Sequence, residues 1–165
     1  MMIYFDNAAT YFHKSGGVAQ AVANAIQTLG NPGRGGYDAS MQAAREVLNT
    51  RLEMAELLGL DDPSQVAFTS GVTESLNLLL GRLVKRDDQV ITTVLGHNSV
   101  LRPLYQTGCS LSCLGCDDEG SLLLDDLPGL LQPNTRFVVC TTGSNVIGSA
   151  TDGEAVAAFC RAHGL

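Results

Sequence analysis

Three short segments carry residue types suited to holding a small anionic ligand. Thr69-Ser70-Gly71-Val72-Thr73-Glu74 is small, rich in hydroxyls and runs into a predicted helix. Such a turn leaves backbone N–H groups free at the helix N-terminus, where the dipole favours a phosphate and hydroxyls add hydrogen bonds. The same hydroxyls followed by Glu74 are also a capping-box pattern, common in helices that bind nothing. Leu95-Gly96-His97-Asn98-Ser99 places a lone histidine after a predicted strand, and Thr141-Thr142-Gly143-Ser144-Asn145-Val146-Ile147-Gly148 places an amide in a polar loop after another. Singly, His97 reads as readily as a structural residue, and Asn145 as a local turn-former. Jointly, a phosphate-cradling turn, an aromatic ring and an amide at one sheet edge can hold the phosphate, face and oxygen of a planar cofactor. An interaction domain with capped helices would show the same fragments.

The five cysteines raise a separate possibility. Cys109, Cys113 and Cys116 have a C-x3-C-x2-C spacing that resembles ligands of an iron–sulfur cluster. Against it, Cys109, Leu111 and Cys113 alternate with Ser110 and Ser112 at the period of a half-buried strand, where cysteine acts as a small apolar residue. An odd number of cysteines in a chain with a core of its own points to reduced thiols, and no metal site is expected.

The elements that must position these segments follow from periodicity. Gly17 to Leu29 and Ser40 to Leu58 carry apolar residues at helical spacing, ended by Gly30-Asn31-Pro32-Gly33 and by Gly59. Beyond them, strand-like runs at Gln65 to Thr69, Gln89 to Val94, Ser110 to Leu114 and Arg136 to Cys140 alternate with helical runs at Glu74 to Val84, Val100 to Tyr105, Leu122 to Leu131 and Glu154 to His163. Strand and helix in turn predict an α/β fold, a mainly parallel sheet with flanking helices, with ligands at the C-terminal ends of the strands.

With 165 residues, 45% hydrophobic and 16% charged, the chain suits one packed domain. A formal charge of -7 argues against nucleic acid and anionic membrane surfaces as partners. No apolar run approaches the roughly 20 residues of a membrane span, and a cytoplasmic location is expected.

In order along the chain, YFDNAAT at Tyr4 to Thr10, NPGRGGY at Asn31 to Tyr37, FTSGVTESLNL at Phe68 to Leu78, GHNSVLRPL at Gly96 to Leu104 and GSNVIG at Gly143 to Gly148 resemble the cysteine desulfurase and class V aminotransferase family. Five motifs in the right order are far more specific than any one alone. The resemblance implies part of the large domain of a fold-type-I pyridoxal-phosphate enzyme. Residues 1–40 would form an N-terminal arm, first helix and Gly-rich loop, and 41–165 a partial cofactor-binding α/β domain. The implied activity is removal of sulfur from L-cysteine as an enzyme persulfide, leaving alanine, by a homodimer that can serve a sulfur-acceptor protein. A class V aminotransferase, a selenocysteine lyase or a non-catalytic dimerisation module are the alternatives.

By the same resemblance, Gly71, Val72 and Thr73 would hold the phosphate of pyridoxal 5'-phosphate. His97, the implied catalytic residue, would stack on its ring, and Asn145 would hydrogen-bond its phenolic oxygen. Asn7, Ala8, Ala9 and Arg34 would lie on the substrate side, Arg34 toward the partner subunit. The chain departs from the family at Gly96, where Glu is common, at Thr142, where His is common, and at Ser15, near a usual proline. It is also expected to stop before the Schiff-base lysine and the aspartate that pairs with the pyridine nitrogen, since neither Lys14 nor Lys85 lies in a matching motif. On that expectation it is inactive alone and, with uncovered sheet edges, prone to aggregate.

Overall fold

The computed structural model describes residues 3–165, which divide into two compact units, one up to Phe68 and one from Thr69 to Leu165. In the first unit, α1 (Val18–Thr28) and α2 (Asp38–Leu58) occupy the two predicted helical runs. Gly59 closes α2 in the left-handed conformation, φ 66°, donating its N–H back to Ala55 and Glu56. That is the geometry only glycine adopts without strain. The loop between the helices is pinned by Ser40, whose hydroxyl donates to the Asn31 carbonyl at 2.6 Å, and by Asn31 Oδ1, which accepts the Gly33 N–H at 2.8 Å. The expected strand Gln65 to Thr69 is not formed. Pro63–Gln65 is instead a 3-10 turn capped by Asp62, and Val66 is extended without entering a ladder. Extended conformation becomes a strand only where another strand takes up its backbone groups.

The second unit begins with α3 (Val72–Leu83) and then alternates β1 (Gln89–Thr93), α4 (Asn98–Thr107), β2 (Ser110–Leu114), α5 (Leu127–Leu130), β3 (Thr135–Val138) and α6 (Gly153–His163). The strands form one parallel sheet in the order β2-β1-β3, with Val90 opposite Leu111 and Phe137, and Ile91 opposite Ser112 and Val138. All five residues of β1 are buried, because helices cover both faces. Period-2 alternation sends Val90 into a cluster with Leu80, Val84, Val100 and Leu104 from α3 and α4 and the turn after α3, and Ile91 into another with Leu114 and Leu127, against which Phe159 of α6 packs.

Buried Gln89 ties the three strands together. Its Nε2 donates to Ser112 Oγ at 2.7 Å and to the Leu130 carbonyl at 3.0 Å, and its Oε1 accepts from the Thr135 hydroxyl. The predicted parallel α/β fold is therefore observed. Two local expectations are corrected. Leu122 to Leu131 is not one helix: Leu122 bridges Cys116, Leu124–Asp126 is a 3-10 turn, and only four residues from Leu127 are α-helical, ahead of extended Leu131. In β2, Cys109 and Leu111 pack against the α3–α4 side, but Cys113 is exposed rather than half-buried; Ser112 and buried Leu114 belong to the opposite face.

Candidate functional site

The site is built where the strands of the second unit end and their loops begin. After β1 the chain turns through Leu95 and Gly96, with the Gly96 N–H donating to the Thr93 carbonyl at 3.0 Å. A Cβ at Gly96 would stand 3.0 Å from that carbonyl and 3.5 Å from the buried Thr92 hydroxyl, so the turn holds glycine where the resembling family commonly has Glu. His97 follows as the N-cap of α4. Its Nδ1 accepts the Ser99 backbone N–H at 3.1 Å and lies 2.8 Å from the Ser99 hydroxyl. A ring nitrogen that accepts an N–H carries no proton, so the proton of the neutral ring is on Nε2.

After β3, the loop from Gly143 to Ala150 closes on itself. Gly143 and Ala150 form an antiparallel bridge, the Ser144 N–H donates to the Ser149 carbonyl at 2.8 Å, and Ser144 Oγ accepts the N–H groups of Val146 and Ile147, each at 3.3 Å. Asn145 stands exposed at the corner of this loop. A cleft of about 440 Å³ separates the two turns, with His97 and Asn98 on one wall and Ser144, Asn145 and Ile147 on the other.

A neighbouring groove of about 450 Å³ lies between α3 and α4, with Thr73 and Asn77 facing His97, Asn98, Arg102 and Gln106. His97 lines both hollows. Of the sequence-predicted residues, Thr73 thus shares one hollow with His97 and Asn145 shares the other. Gly71 is the N-cap of α3 at φ 156°, ψ 174°, a conformation essentially reserved for glycine, and no side chain caps the helix. The capping box is only half made: Glu74 reaches back past Gly71 and accepts the Ser70 N–H and hydroxyl, each at 2.7 Å. The Ser70 hydroxyl first, and its N–H second, hold the Glu74 carboxyl below its ordinary value. The first-turn N–H groups, those of Val72 and Thr73 included, remain turned to solvent at the positive end of the helix.

Arg102 was not anticipated from sequence. The signal lay in Asn98, Arg102 and Gln106, a polar stripe at i, i+4, i+8 on one face of α4, which brings a cation into the groove of Thr73. Ser144 was likewise read only as part of a motif, yet its hydroxyl shapes the Asn145 loop. Asn7, Ala8, Ala9 and Arg34 belong to the first unit. There Asn7 Oδ1 accepts the Phe12 N–H at 3.2 Å, the Ala9 N–H donates to the Asp6 carbonyl, and Arg34 is exposed in the loop before α2.

All five cysteines carry free thiols, and among the described residues no three His, Cys, Asp or Glu gather at metal-binding distance. Among the same residues, no helix is long and apolar enough to cross a membrane.

The second unit opens on an uncapped helix start and carries a histidine and an exposed asparagine at the strand ends of its parallel sheet. The sequence matches the family Aminotransferase class-V over residues 3–165, and the chain belongs to that family. Its relatives include "Cysteine desulfurase IscS" of Serratia proteamaculans, 33% identical over 145 residues, or 84% of this chain and 36% of the relative. "Probable cysteine desulfurase 1" of Mycobacterium leprae is 28% identical over 163 residues, or 94% of this chain and 27% of the relative. Among solved structures, the Escherichia coli cysteine desulfurase CsdA superposes with a TM-score of 0.79 at 26% identity, over 97% of this chain and 42% of that one. A NifS-like protein superposes at 0.85 and 26% identity, over 98% of this chain and 46% of that one. The chain therefore spans less than half the length of these relatives, and within that span its fold is that of the large domain of fold-type-I pyridoxal-phosphate enzymes.

Proposed function

We propose that this chain supplies the cofactor-holding part of a pyridoxal-phosphate-dependent cysteine desulfurase, an enzyme that converts L-cysteine to L-alanine and passes the sulfur on as a persulfide. The observation that carries this reading is that His97 lines two adjoining hollows, one shared with Thr73 and the other with Asn145, and that no side chain caps the helix start at Gly71.

The residues present fit the cofactor. Backbone N–H groups at Val72 and Thr73, the Thr73 hydroxyl and the α3 dipole suit a phosphate, with Arg102 adding positive charge to the same groove. Gly71 itself sets no side chain beside those N–H groups. His97, its Nδ1 occupied by Ser99, is held with one ring orientation and offers its face to a planar ring. The exposed Asn145 amide would donate to the cofactor's phenolic oxygen. When bound, pyridoxal phosphate supplies an electron sink, and the part played by these residues is to anchor, orient and tune it.

On the resemblance, Asn7, Ala8, Ala9 and Arg34 are assigned to the substrate side, with Arg34 directed to the partner subunit of a homodimer. A sulfur-acceptor protein is the proposed downstream partner, and the cytoplasm the proposed compartment. The test is a titration of the protein with pyridoxal phosphate, followed by absorbance. Saturable uptake that weakens in Thr73→Ala, His97→Ala and Asn145→Ala supports the reading. Uptake indifferent to all three substitutions would overturn it.

A further inference from the structure

We propose that Gly120, on the turn after β2, is a positioning residue for Asn145 and acts through the side chain of Ile147. The inference rests on the reading of Asn145 as a cofactor contact, but its physical basis is independent. The hydrogen bonds of the 143–150 loop run within the loop or to its own stem, where the Thr151 N–H and hydroxyl donate to the carbonyls of Thr142 and Thr141. Such bonds fix the loop's shape and leave its tilt over the sheet to side-chain contacts.

Ile147 makes such a contact. A Cβ built on Gly120 would fall 2.1 Å from Ile147 Cδ1 and 3.5 Å from its Cγ1, so the isoleucine tip occupies the space that any other residue at 120 would fill. Without that seat Ile147 has little to hold it, since 54% of it is exposed. The seat is cross-linked by its own hydrogen bonds. Asp117 Oδ1 accepts the N–H groups of Glu119 and Ser121 at 3.0 and 2.8 Å, the Gly120 N–H donates to the Asp117 carbonyl at 3.1 Å, and Cys116 bridges Leu122. Gly120 is buried with φ 82°, a left-handed conformation that suits glycine. Asn145 is two residues from Ile147 on a loop closed by its own hydrogen bonds, so the contact at Gly120 sets where the amide stands above the ends of β1 and β3.

The experiment is a double-substitution cycle with Gly120→Ala and Ile147→Ala, read by amide hydrogen exchange and by pyridoxal-phosphate titration. Gly120→Ala is expected to speed exchange across 143–150 by about tenfold, the scale of a lost packing contact, while β1 amides stay protected. It is expected to weaken cofactor uptake by a similar factor and to change the absorption spectrum of the bound cofactor as Asn145→Ala does. In the Ile147→Ala background, Gly120→Ala should add much less to either readout than it does in the parent, only the backbone strain of alanine at φ 82° remaining. Additive effects in the cycle, or loop exchange unchanged in both single variants, would overturn the proposal. Should Gly120→Ala lose the fold, Ile147→Ala alone decides through the same loop amides. If Asn145→Ala takes up cofactor as well as the parent, the cofactor reading of Asn145 fails, whereas the exchange data still show whether Gly120 sets its position.

Discussion

The imidazole of His97 caps the helix that follows it, with Nδ1 accepting the Ser99 N–H at 3.1 Å. One side chain therefore has two separable duties, to end the turn after β1 and to present a ring to the cleft. Asparagine can perform the first duty and not the second. His97→Asn is expected to keep the stability of the parent, whereas His97→Ala loses about 1 kcal/mol, the usual worth of an N-cap. Both should weaken pyridoxal-phosphate uptake. Urea unfolding of the two variants beside a cofactor titration checks the separation, and equal stability losses would show that the cap contributes nothing.

Gly71 sits at φ 156°, ψ 174° at the head of α3. Alanine in that region costs of order 1–3 kcal/mol. If the backbone relaxes to avoid the strain, the Val72 and Thr73 N–H groups turn away from a common anion. Gly71→Ala should therefore reduce the rise in melting temperature that pyridoxal phosphate gives the parent, beyond any fall in the melting temperature of the free protein. An unchanged ligand-induced rise would show that these N–H groups do not hold the phosphate.

How much of this was legible in the sequence depends on whether the signal was local. The helix ends at Gly59 and the strands Gln89–Thr93 and Ser110–Leu114 follow from glycine punctuation and β-branched or alternating runs, and they appear where periodicity puts them. Gln65 to Thr69 has an equally strand-like composition but forms none, because pairing depends on a neighbour that composition does not encode. Leu122 to Leu131 misleads by its leucines, which pack beneath the sheet from a bridge, a 3-10 turn and a single α-turn as well as they would from a helix. In the site, His97 and Asn145 are visible as chemistry-bearing residues after strands. The seat of Ile147 on Gly120 is not, since the two are 27 positions apart and meet only through the fold.

Glu74 provides an acid-range signature. Its carboxylate accepts from the Ser70 hydroxyl and N–H, which hold it below its ordinary value in the folded protein. A depressed carboxyl stabilises the fold above the value of the unfolded chain, and that contribution fades as pH falls below about 4.3, where a free glutamate protonates. Glu74→Gln should flatten this part of the stability profile by lowering stability at neutral pH toward the acid-end level, with little change at the acid end itself. Urea midpoints measured from neutral pH down into that range test it; parallel profiles for parent and variant would refute it.

Gln89 bears on the sheet as a whole. Its amide partners are Ser112 on one neighbouring strand, Thr135 on the other and the Leu130 carbonyl, all reached from a fully buried position. Replacing it with leucine keeps the volume but strands those polar groups away from water. Gln89→Leu is expected to destabilise the protein by about 2–4 kcal/mol, more than a surface substitution on α6. A loss under half a kcal/mol would mean that the sheet relaxes to satisfy these groups in another way.

The thiols give the opposite end of the pH scale. Burial, and then the neighbouring Cys160, push the Cys140 thiol up, and burial pushes Cys160 up against the opposing influence of Arg161. A raised thiol stays neutral at pH values where a free cysteine is already a thiolate, so Cys140 should alkylate slowly near neutrality. The linkage has a fixed sign. The neutral form is favoured in the folded state, so this contribution to stability is intact below the ordinary thiol range, about pH 8.5, and is lost as pH rises through the raised folded value. Cys140→Ala should lessen the loss of stability between pH 8 and 10, and iodoacetamide labelling followed by mass spectrometry should find Cys140 modified later than it would be in the unfolded chain. Labelling at the unfolded rate would show that the end of β3 opens readily to solvent, and would remove the thiol from the account of alkaline unfolding.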